Sequence, residues 1–118
     1  MFKPPKEDKK YSWTSHVFHK MMQYGISESR IKRIIRFPKR TEEGVATETV
    51  AVMQPAGTKR YQEIWVMYKL ASGRATNDKK LETNNKRIRV ITAWRYPGVS
   101  PERDPVPKDV IEEVRKLL

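Results

Sequence analysis

Apolar residues recur at helical spacing in the first third of the chain. Val17, Met21 and Tyr24 share one stripe, with Phe18 and Met22 beside it, which predicts a helix from about Ser15 to Tyr24. Thr14 or Ser15 is suited to cap its start. Gly25 supplies the left-handed residue that ends it, and Ile26 is spaced to pack back on Met21. Ser27 is a good cap for a second helix, and Ile26 and Ile31 have the spacing of a hydrophobic staple. Arg30 stands where a complete capping box has Glu. Ile31, Ile34 and Ile35 form this helix's apolar stripe, and Pro38 ends it by disfavouring helix at Phe37.

The period then changes from helical to two. Strands are expected over about Val45–Met53, Arg60–Leu70 and Lys86–Tyr96. Pro55 to Thr58 forms a turn between the first two. A polar loop from about Ala71 to Asn85, expected to be the most mobile internal segment, joins the last two. Pro97 and Gly98 close the third strand, and a run containing Pro101, Pro105 and Pro107 leads to a final helix over about Lys108–Leu118. Its apolar face carries Val110, Ile111, Val114, Leu117 and Leu118. This order predicts an α+β fold with two N-terminal helices, a three-stranded antiparallel β-meander and a C-terminal helix. Residues 1–10, with four lysines and two prolines, read as a flexible basic arm, and residues 11–118 as a single domain.

Charge narrows the partner class. The 25 Lys and Arg residues against 14 Asp and Glu give a net charge of +11. That field favours polyanions, by steering and by counterion release. There are no cysteines, so disulfides, cysteine metal sites and thiol chemistry are excluded. The N-terminus has no apolar secretory segment, and no window has the apolar length of a membrane span. These features predict a cytoplasmic protein with no membrane partner. P-loop, G-x-S-x-G, H-E-x-x-H and paired zinc motifs are absent from the sequence. No metal or cofactor is expected.

His16 and His19 are the two histidines, three residues apart on the first helix. His16 has the unperturbed acidity of a general acid or base, while a partly buried ring bonded to backbone near a helix start is the commoner use of a histidine so placed. Arg30, Arg33, Arg36, Lys39, Arg40, Arg87 and Arg95 are candidates for contact with nucleic acid, since arginine pairs bidentately with phosphate. Metal-free RNA cleavage requires activation of a 2′-hydroxyl, neutralisation of developing charge and protonation of a leaving oxygen. His16, Lys20, Tyr61 and Arg89 have the residue types for that set. Trp13, Tyr61, Trp65, Trp94 and Tyr96 suit base stacking, and each also suits a core position.

The succession of His16, Lys20-Met21, Gly25-Ile26-Ser27, Pro38 and a later strand RVITAW resembles a family of small bacterial domains similar in fold to the BrnT and RelE toxins. In that pattern His16 matches the helix-start histidine, Lys20 stands at a position usually held by arginine, and Thr92 and Trp94 match the last strand. Tyr24 departs from it where a basic residue is common, and the loop after the second strand is longer than in the family. The resemblance implies an RNA-binding domain like the ribonucleases of toxin–antitoxin systems, with RNA or the ribosome as partner and an acidic antitoxin as a second. The alternative is a non-catalytic basic module that binds nucleic acid or an acidic protein.

Overall fold

The computed structural model describes residues 4–5, 9–45, 48–71, 87–102 and 106–117. Its elements in chain order are β1 (Tyr11–Trp13), α1 (Ser15–Tyr24), α2 (Glu28–Arg36), β2 (Arg40–Glu43), β3 (Thr49–Pro55), β4 (Gln62–Ala71), β5 (Arg87–Pro97) and α3 (Lys108–Leu117). The strands form one five-stranded sheet in the order β1-β5-β4-β3-β2. β2 through β5 pair antiparallel, while β1 pairs parallel with β5 and sets Tyr11 opposite Ile88 and Trp13 opposite Val90.

This corrects the fold expected from sequence. The sheet is not a three-stranded antiparallel meander of RelE/BrnT type: it has five strands and is mixed. The expected strand Val45–Met53 gives way to a hairpin of β2 and β3, in which Gly44 N donates to Thr49 O at 2.9 Å. A Cβ at position 44 would run into the Thr49 side chain. β2 has the sequence RTEE, with no apolar residue to mark it. β1 has three residues, too few to display a period of two. The expected mobile loop beyond Ala71 and most of the basic N-terminal arm lie outside the described residues.

The helix boundaries follow from their caps. Thr14 Oγ1 accepts from Val17 N at 3.0 Å and donates to Ile91 O at 2.7 Å, so one hydroxyl both starts α1 and ties it to β5. Gly25 ends α1 at φ +66°, and Ile26 N donates to Met21 O. Ser27 Oγ accepts from Arg30 N at 3.1 Å and starts α2.

Both faces of the sheet are covered. Val17, Met21, Ile26, Ile31 and Ile34 from α1 and α2 pack on Val52, Ile64, Val66 and Val90. On the opposite face Val110 and Val114 of α3 pack with Ala51, Met53, Trp65, Met67 and Trp94. Burial on two faces explains why β4 is apolar at every position from Ile64 to Met67. Trp65 and Trp94 are register partners and stack with centroids 5.9 Å apart. β5 has an irregularity opposite Met67 and Tyr68, where Met67 pairs with Thr92 and Tyr68 with Val90.

Candidate nucleic-acid interface

The second helix divides its cations by face. Ile31 and Ile34 point to the core, while Arg33 and Arg36 are exposed, as is Lys39 just beyond the helix. Among the described residues no carboxylate is paired with these three side chains. Phe37 lies in the same stretch and is 69% exposed. In a continued helix, Phe37 would fall three residues after Ile34 on the buried stripe. The helix instead stops at Arg36, and Phe37 leaves it at φ −132°, ψ 65°. Its backbone is pinned at both ends: Phe37 N donates to Arg33 O at 2.9 Å, and Gln54 Nε2 donates to Phe37 O at 2.7 Å. Lys39 N donates to Met53 O. The result is an aromatic ring in solvent on fixed backbone, flanked in sequence by Arg33, Arg36 and Lys39.

Other expected contact residues have structural duties. Arg40 lies on the α3 face, where its guanidinium donates to Ser100 O, Ser100 Oγ, Pro101 O and Glu42. It sits 5.0 Å over the Trp65 ring. Beside it, Glu63 has no exposed surface; its Oε1 accepts from Trp65 Nε1, Ser100 N and Ser100 Oγ, and its Oε2 from Tyr61 OH. Burial pushes the Glu63 carboxyl up, but these bonds together outweigh it and hold the group below its ordinary value. Tyr61 is shifted the other way, up, by burial and by its bond to the Glu63 carboxylate. Arg87 donates to Tyr11 O. Arg30 donates to Pro55 O, and Arg95 to Tyr24 O and Gln62.

The four residues suited to acid–base chemistry fall into three places. His16 and Lys20 meet at Glu113 of α3: His16 Nε2 is 3.3 Å from Oε2, and Lys20 Nζ is 3.1 Å from Oε1. The His16 nitrogen is near the carboxylate but not aligned to donate to it. Burial lowers the His16 pKa, Glu113 opposes that, and Lys20 and His19 add to it, with the net shift downward. Tyr61 and Arg89 lie toward opposite ends of the β4–β5 ladder. Gly98 N donates to Tyr61 O, whereas Arg89 lies beside Ser12 of β1. The chain from Arg89 to Gly98 spans roughly 30 Å at about 3.3 Å per residue.

Sequence reasoning missed Phe37, Glu63, Ser100 and Glu113. Phe37 had a signal, a lone aromatic among cations directly before a proline. Among the described residues no group of His, Asp and Glu is arranged to hold a metal ion, and no helix is long and apolar enough to cross a membrane. No protein-family model matches the chain, and neither a curated protein nor a solved structure matches it.

Proposed function

We propose that this protein is a non-catalytic module that binds single-stranded nucleic acid, RNA foremost, at the end of α2. The observation that carries the reading is Phe37, 69% exposed on pinned backbone in a cationic stretch. A base stacks on the ring, and the flanking cations track the phosphates. Proteins that bind single strands combine these two elements, and each stacked base contributes about 1–3 kcal/mol. With Arg33, Arg36 and Lys39 neutralising about three phosphates, log affinity falls with log salt at a slope of about −2. The net charge of +11 supports the same partner class. The separation of Tyr61 from Arg89 along the β4–β5 ladder favours binding without cleavage, because acid–base catalysis needs its groups within reach of one scissile bond.

The test is titration of a labelled single-stranded RNA over a range of salt, with the RNA recovered and sized afterwards. Binding with that slope and intact RNA supports the proposal. Salt-independent binding or no binding refutes it, and cleavage abolished by His16→Ala would replace it with the ribonuclease reading.

A further inference from the structure

Arg30 and Arg95 are fixed by neutral partners. Arg30 Nη2 donates to Pro55 O at 2.6 Å. Arg95 Nε donates to Tyr24 O at 2.9 Å, and its Nη1 lies 3.4 Å from Gln62 Oε1. These contacts orient both guanidiniums and cancel neither charge. Arg30 Nε is buried and finds no acceptor among the described residues. Arg30 also occupies the first turn of α2, where the helix dipole is positive and a cation is disfavoured. Arg33 lies one turn beyond Arg30 on α2, and Ala56 N, next to the Pro55 carbonyl that holds Arg30, donates to O of Gln62, the residue that holds Arg95, so the three cations are neighbours. Among the described residues no carboxylate is paired with any of them. Repulsion and an adverse dipole are both relieved by one anion.

We infer that Arg30, Arg33 and Arg95 form a site for one phosphate group on the surface where the end of α1 meets the start of α2. Guanidinium groups match phosphate oxygens with paired N–H donors, and those of Arg30 and Arg95 are already oriented by Pro55, Tyr24 and Gln62. The site adjoins the Phe37 surface through Arg33 but does not depend on it. Its ligand is either the terminal phosphate of a nucleic-acid strand or free inorganic phosphate.

The test is a nuclear magnetic resonance titration of the arginine Nε–H signals with inorganic phosphate, against chloride at equal ionic strength. A saturable shift of the Arg30 and Arg95 signals with phosphate alone is expected. Arg30→Gln should weaken it about tenfold, the effect of losing one charge-assisted pair. A 5′-phosphorylated oligouridylate that binds tighter than its 5′-hydroxyl twin, with the difference lost in Arg30→Gln, identifies the strand terminus as the ligand. Equal binding of the two oligonucleotides alongside the phosphate shift identifies free phosphate. The absence of any phosphate-specific shift in the wild-type protein, where folding is not at issue, overturns the inference. Phe37→Ala should leave the phosphate titration unchanged, so loss of strand binding and loss of this site are read separately.

Discussion

Ser100 Oγ donates a 2.6 Å hydrogen bond to the carboxylate of Glu63, a side chain with no exposed surface. The same carboxylate accepts from Ser100 N and Trp65 Nε1, and Arg40 Nη1 lies 3.7 Å from its other oxygen. The bond fastens the segment after β5 to β4 and gives the cation of edge strand β2 a buried counter-charge. Ser100→Ala removes two bonds, the one its hydroxyl donates to Glu63 and the one it accepts from Arg40, and should cost about 1–3 kcal/mol. Glu63→Leu leaves Arg40 without its buried anion and strands several donors, and should cost about 3–5 kcal/mol. Urea unfolding with the two variants side by side checks both values. Equal, small losses would mean that the network contributes little.

Two pH windows, one carboxylic-acid and one imidazole, follow from the shifted groups. Glu63 is held below its ordinary value of 4.5. The unfolded chain therefore binds the proton more readily, and the stability conferred by the carboxylate is present above that value and lost as pH falls through the folded pKa. His16 is held below 6.5, so protonation favours the unfolded chain as well. Stability is complete above 6.5 and declines as pH falls from there toward the folded His16 pKa. His16→Gln should flatten the upper decline and leave the acid one in place. Thermal unfolding across pH, with and without that substitution, separates the two.

Glu113 raises the His16 pKa and accepts from Lys20, which is 8% exposed. Glu113→Gln should therefore lower the His16 pKa further, as read from the histidine ring signals by nuclear magnetic resonance. It should also destabilise the fold by about 1–3 kcal/mol through the weakened bond to a nearly buried ammonium. An unchanged or higher His16 pKa would refute the electrostatic link between α1 and α3.

Arg36→Gln and Arg33→Gln should weaken strand binding to a similar degree whatever the base sequence, and each should reduce the salt slope by about 0.7. Arg40→Gln should instead act on stability, since its guanidinium is engaged by Ser100, Pro101 and Glu42. Comparing binding and unfolding for the three variants distinguishes surface cations from internal ones.

The helices were legible because their caps are local: Ser27 bonds a backbone N–H three residues on, and Gly25 takes the left-handed conformation at the residue where the apolar stripe ends. The edges of the sheet were not. Arg40–Glu43 is polar throughout, and Tyr11–Trp13 becomes a strand only through pairing with Ile88–Val90, far along the chain. The network around Glu63 joins residues 37 apart, a relationship that no local pattern encodes. The cation set could be read as a composition, but its partition depended on the fold. Arg33 and Arg36 face solvent because Ile31 and Ile34 fix the phase of α2, while Arg40 turns inward beside Trp65. Phe37 reads as one more apolar residue until the helix ends before it and turns its ring outward.

The central claim rests on that ring. Fluorescence anisotropy of a labelled oligouridylate, at fixed salt, should compare wild type with Phe37→Ala and Phe37→Trp. Loss of about 1–3 kcal/mol of stacking predicts that Phe37→Ala binds at least about fivefold more weakly, while Phe37→Trp binds as well as wild type or better. Binding by Phe37→Ala as tight as that of the wild type would contradict the account.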